Sequence, residues 1–179
     1  MRVLIDACVL FPTVMREVVL GCAKAELFEV RWSDRILEEW ARATIKLGPE
    51  AEVFARGEIA VVCAQFPKAI VPMNPGLEQR LWLPDANDIH VLAAAVAGSC
   101  DTIMTINAKD FPRNLLAEEG ISRVDPDNFL MGHLANHEDI VRGVCEQVLA
   151  TARDMSGEDW TMRKLMKKAR LPRLGKALE

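Results

Sequence analysis

The sequence contains no tyrosine and only three histidines, and its five cysteines form no pattern. With so few histidines and no Ser–His or Cys–His arrangement, neither a nucleophilic triad nor a nuclease relying on histidine as general acid is expected. The cysteines (Cys8, Cys22, Cys63, Cys100 and Cys145) are odd in number, and no two stand close enough for a zinc-type pair. They read as buried free thiols in a reducing compartment. No apolar run approaches the roughly 18 residues of a membrane span. The N-terminus enters a short strand-like run, Val3 to Ile5, where a secretory signal would need a longer apolar stretch. The expectation is a cytoplasmic protein without membrane contact.

What is present is the profile of a soluble globular chain. Half of the 179 residues are hydrophobic and 27% are charged, enough for one domain with a real core and a small appendage. The net charge of −4 conceals a division. Residues 163–179 carry seven Lys or Arg and one Glu, whereas residues 1–162 carry 15 basic and 25 acidic residues. An acidic body with a basic tail suits a protein whose acids hold cations and whose tail meets phosphate; a solvated basic helix fits the tail equally well.

Strand-like and helix-like segments alternate to residue 125, which predicts an α/β domain with a mainly parallel sheet. Val3–Ile5 is the first strand. Helices are expected over Thr13–Lys24, from Ser33 or Asp34 to about Leu47, and over Glu50–Gln65. Ala69–Val71 reads as a short strand, and Pro72, Pro75 and Pro84 punctuate a loop-rich stretch. Ile89–Gly98, polar only at His90, reads as a buried helix. Thr102–Ile106 reads as an apolar strand. From Pro126 the alternation gives way to helices, one ending near Asp154 and another capped by Ser156 and carrying Arg163, Lys164, Lys167 and Lys168.

The acids are the chemically informative residues. Asp6 ends the first strand, where open parallel sheets bind ligands, although a turn residue or cap would look the same. On the next helix, the 100° period places Glu39 at the edge of the apolar stripe formed by Ile36, Trp40, Ala43 and Leu47, and Glu38 nearly opposite it. Glu39 should therefore point inward and need a partner, either a metal or an Arg, while Glu38 should be solvated. Asp85 and Asp88 precede the buried helix. Asp88 fits both a helix-start role and a functional one at the rim of the core. Asn107 and Asp110 follow the last strong strand, where turn chemistry is also common. Parallel topology would bring these positions to one side of the sheet. Carboxylates gathered there repel one another unless a cation is present, and all-oxygen ligands favour Mg²⁺ or Mn²⁺.

Four segments, "LIDACVLFP" with Asp6, "RWSDRILEEW" with Glu39, "DIHVLAAAV" with Asp88 and "TINAKDFP" with Asp110, resemble in order the acidic motifs of PIN-domain nucleases. They are most similar to VapC-type toxins of bacterial toxin–antitoxin pairs. The likeness covers about residues 1–125, and the helical part from Pro126 resembles the C-terminal extension of one VapC subgroup. It implies a three-layer PIN-like domain over 1–125 with a helical extension over 126–179. It also implies an Mg²⁺- or Mn²⁺-dependent endoribonuclease, a homodimer and inhibition by a bound antitoxin. Asp6, Glu39 and Asp88 carry over as metal-site and catalytic acids. At the fourth position either Asp110 or Asn107 completes the site, and Cys8 stands where a small polar residue is common. The basic residues Arg163, Lys164, Lys167 and Lys168 are candidates for RNA contact.

Two rivals remain. A haloacid-dehalogenase-type phosphatase would also place Asp after the first strand, but it would want a second Asp where Cys8 stands. A degenerate PIN domain would bind RNA or protein without cutting. His133 and His137, spaced i, i+4, read as a solvated pair on one helical face. His90 reads as a satisfied packing residue, and the four tryptophans as core or interface.

Overall fold

A computed structural model describes residues 1–179. The chain divides into two compact units. The first comprises Met1–Phe11 and Glu29–Val124, and the second Pro12–Phe28 and Asp125–Glu179.

The first unit is built on a four-stranded parallel sheet in the order β2-β1-β3-β4. Its strands are β1 (Arg2–Ile5), β2 (Glu29–Arg31), β3 (Thr102–Met104) and β4 (Ser122–Val124). The two central strands are the apolar ones. Val3, Leu4, Ile5, Ile103 and Met104 are fully buried, as expected where helices cover a parallel sheet. The edge strands β2 and β4 are short and carry Glu29, Arg31, Ser122 and Arg123, which is how sheet edges avoid pairing with other chains. This polarity hides both from a search for apolar runs, and neither was expected. Residues 69–71 contribute only an isolated bridge, Ile70 with Trp32, and not a strand.

The helices of this unit are α1 (Ala7–Leu10), α3 (Asp34–Ala43), α4 (Ala51–Gln65), α5 (Pro75–Arg80), α6 (Ile89–Ala97) and α7 (Arg113–Glu118). Ser33 caps α3, its hydroxyl accepting the Ile36 N–H at 3.2 Å. That helix ends at Ala43 and continues only as a 3₁₀ turn, Ile45–Leu47. The segment read as loop contains α5, because Pro75 occupies the first helical turn and Asn74 caps it through the Leu77 N–H at 3.2 Å. The helix α6 is sealed on nearly every side, with His90 and residues 91–95 buried.

The second unit is all helical: α2 (Thr13–Lys24), α8 (Pro126–Leu134), α9 (Glu138–Ser156), α10 (Met162–Lys168) and α11 (Pro172–Ala177). The helix α2, which lies between β1 and β2 in sequence, thus belongs with the C-terminal helices. Gly21 of α2 lets α9 approach, since a Cβ there would stand 2.5 Å from Val144 Cγ1. Asp127, buried on α8, accepts the N–H groups of Arg173 and Leu174, each at 2.9 Å, and so caps α11 from a distance. Ser156 closes α9, and its hydroxyl accepts the Glu158 N–H at 3.1 Å in the turn that follows; Thr161, not Ser156, caps α10. His133 and His137 do not share a helix, because α8 stops at Leu134. His133 packs with Phe28 and Phe129. No helix is long and apolar enough to cross a membrane.

Candidate metal centre

Parallel pairing brings the ends of β1 and β3 together. Ile5 aligns with Met104, and the Asp6 N–H donates to the Met104 carbonyl at 3.1 Å. The next residue on each strand, Asp6 and Thr105, is buried. The Thr105 hydroxyl donates to Asp6 Oδ2 at 2.7 Å, and the Cys8 thiol reaches the same oxygen at 3.0 Å. Both donors hold one Asp6 oxygen and leave the other available. Thr105 Oγ1 in turn accepts the Asn107 N–H at 3.0 Å. Burial, and then the negative charge of Asp6, push the Cys8 thiol up to about 12, so it acts as a donor and not as a thiolate.

The loop after β3 is pinned from two directions. Asn107 Nδ2 donates to Asp110 Oδ2, and the Arg123 guanidinium of β4 donates to the Ala108 carbonyl. At the start of α6, a 3₁₀ turn over Ala86–Asp88 sets Asp85 and Asp88 three residues apart, with Asp85 capping it through the Asn87 N–H at 2.9 Å. One carboxylate oxygen from each of Asp85, Asp88 and Asp110 lies within 4.8 Å of the others. These are hard oxygen donors without sulfur or nitrogen, a set suited to Mg²⁺ or Mn²⁺.

The surrounding acids act on Asp88. Burial raises its carboxyl from the ordinary 3.8 to about 6, and the charges of Asp6, Asp85, Asp110 and Glu39 push in the same direction. Such mutual repulsion is what a cation would relieve. Of the residues expected at the site, Asp88 and Asp110 fall in the close trio. Asp6 and Glu39 stand outside it, near enough to repel Asp88. Asn107 holds Asp110 through its amide. Asp85, seen in the sequence only as a neighbour of Asp88, is the third member; the D-x-x-D spacing at a helix start was the available signal.

Glu39 is half-buried on α3, with Arg35 Nε at 3.6 Å and His90 Nε2 at 2.7 Å. Glu38 is not free in solvent, because Arg42 and Arg56 bind it at 2.9 and 2.8 Å. The two glutamates are about equally exposed, and the apolar stripe alone did not separate them. In the helical unit, Arg163 pairs with Glu179 at 2.8 Å and Lys168 lies 4.7 Å from the Trp160 ring centre. Trp32 and Trp40 are core residues, whereas Trp82 is exposed.

A family model described as PIN domain matches residues 2–109. The chain belongs to the PIN-domain family. A Mycobacterium tuberculosis protein named "Putative ribonuclease VapC50" is 40% identical over 57 residues, which is 32% of this chain and 34% of that protein. The match thus spans about a third of the relative's length. No solved structure matches the chain. The family match ends at residue 109, just before Asp110, and the C-terminal helices lie beyond it.

Proposed function

We propose that this protein is an Mg²⁺- or Mn²⁺-dependent endoribonuclease of the VapC type, the toxin of a toxin–antitoxin pair. The observation that carries the reading is the Asp85–Asp88–Asp110 trio, whose central acid is held near 6 by burial and four neighbouring carboxylates. Asp85, Asp88 and Asp110 would hold the metal, with Asp6 and Glu39 completing the negative wall. A bound divalent ion supplies a water acidic enough to give hydroxide near neutral pH and offsets charge on the phosphate. Thr105 and Cys8 fix the Asp6 oxygen, and Asn107 orients Asp110 as a positioning residue while Asp110 itself ligates. The partial likeness to a ribonuclease-named relative favours RNA over other phosphodiesters. Arg163, Lys164, Lys167 and Lys168 are the proposed contacts to RNA backbone. A homodimer, an antitoxin partner and a cytoplasmic location belong to the same reading.

The test is cleavage of mixed RNA by purified protein with Mn²⁺ or with EDTA. We expect cleavage with metal, none with EDTA and none from Asp6→Asn. RNA binding without cleavage under any metal would refute the enzyme and leave a binding module. Release of phosphate from a small phosphomonoester would point instead to a phosphatase.

A further inference from the structure

His90 is a buried polar residue beside the acid cluster. It lies two residues after Asp88 on α6 and is 4% exposed. Buried imidazoles normally find partners, because an unsatisfied ring nitrogen costs free energy. Here neither ring nitrogen makes an aligned hydrogen bond, yet Nε2 stands 2.7 Å from Glu39 Oε1. The distance and the missing alignment point in different directions, and the distance is the stronger guide. Nitrogen and oxygen approach to 2.7 Å only across a shared proton, since two lone pairs would repel there. Water is a poor substitute partner: the void beside His90, lined by Ser33, Arg35, Asn74 and Glu78 among others, is about 10 Å³, at the limit for one molecule.

Glu39 has a second suitor. Arg35 reaches it at 3.6 Å and reaches Glu78 at 3.9 Å, and its side chain is 42% exposed. An exposed Arg shared between two acids is screened and mobile, and it fixes neither. His90 is rigid, buried and held by the same helix that presents Asp88.

We infer that His90 is a positioning residue that, as the Nε2–H tautomer, anchors the Glu39 carboxylate beside the acid cluster, on the oxygen that Arg35 also approaches. The inference rests on the metal site proposed above. It assigns a task to the His of "DIHVLAAAV" that packing alone does not require. Residues of this kind orient metal-site acids, and their loss commonly weakens metal binding by roughly 10- to 100-fold.

The experiment compares His90→Gln, whose amide N–H reaches about as far as Nε2, with His90→Leu, which fills the space without a donor. Mn²⁺ binding is measured by calorimetry alongside thermal melting. We expect His90→Leu to lose about tenfold or more in Mn²⁺ affinity and His90→Gln to stay near wild type. Wild-type affinity in His90→Leu, or an equal loss in both variants, would overturn the inference. A second readout needs neither metal nor substitution of His90: long-range ¹H–¹⁵N spectra of the metal-free protein. A neutral Nε2–H tautomer whose proton exchanges faster in Glu39→Ala supports the anchor, and an Nδ1–H tautomer refutes it. If wild-type protein binds no Mn²⁺, the nuclease reading fails, and these spectra still decide the role of His90.

Discussion

Replacing Asp88 by Asn should stabilise the metal-free protein at neutral pH and abolish its stabilisation by metal, so that the ranking of the two proteins inverts when Mn²⁺ is added. Folding lifts the Asp88 carboxyl from 3.8 to about 6, so between those values the folded state holds a proton that the unfolded state has released. Stability must then fall as pH rises through that window and level off above it. Complete transfer of the rise into stability would be about 3 kcal/mol. The side chain is only partly buried, so screening reduces this to about 1 kcal/mol. Asp88 makes no side-chain capping bond to α6, and Asn forfeits none.

Urea unfolding followed by tryptophan fluorescence measures the effect, because the buried Trp32 and Trp40 lie in the same unit as Asp88. In EDTA at pH 7.5, Asp88→Asn should be the more stable by about 1 kcal/mol, and the gap should narrow as pH falls from about 6 towards 3.8. With Mn²⁺ at about 100 times its dissociation constant, wild type gains about 2.7 kcal/mol that the variant lacks. Destabilisation of Asp88→Asn in EDTA at pH 7.5, or an advantage that is the same at every pH, would refute a raised Asp88 carboxyl.

Other consequences are equally direct. Thr105→Val removes the 2.7 Å bond to Asp6 and leaves the Asn107 N–H without its acceptor. It should cost about 1–3 kcal/mol in thermal melts and weaken Mn²⁺ binding, while Thr105→Ser keeps both. Gly21→Ala sets a methyl 2.5 Å from Val144 Cγ1. A β-branched residue in a helix yields little, so a loss of about 1–3 kcal/mol is expected, and adding Val144→Ala should restore most of it. Neutralising Lys164, Lys167 and Lys168 together should lower RNA affinity and flatten its salt dependence. An unchanged salt slope would remove α10 from the RNA surface.

Whether an element could be read in the sequence depended on where its free energy comes from. The segments β1, α2 and α6 owe their existence to buried apolar side chains, and hydrophobic pattern marks them. The strands β2 and β4 owe theirs to backbone pairing with a strand distant in sequence, and each carries a single valine among polar residues, so no local signal marks them. The helix α5 reads as loop in the sequence because Pro75 is a helix breaker in an interior and a helix former in the first turn; Asn74 before it decides which. The same distinction governs the acids. Asp6 and Asp110 follow apolar strands and Asp88 opens an apolar helix, so all three could be placed by topology. Glu39 and Asp85 could not be placed that way, because their surroundings come from other elements. Asp85 joins the cluster because its partner Asp88 is one turn away and Asp110 arrives from the loop after β3. Glu39 faces the site while Glu38, one residue earlier, is bound by Arg42 and Arg56, and that choice depends on an Arg 18 residues downstream. Helical period ranks faces by hydrophobicity, but a carboxylate goes where the cations and donors are, and those are set by the tertiary fold. The burial of His90 follows from the pattern of α6, but its approach to Glu39 depends on a residue 51 positions earlier in the chain. The sequence was therefore most informative about the apolar scaffold that presents the acids, and least informative about the hydrogen-bonding groups that aim them.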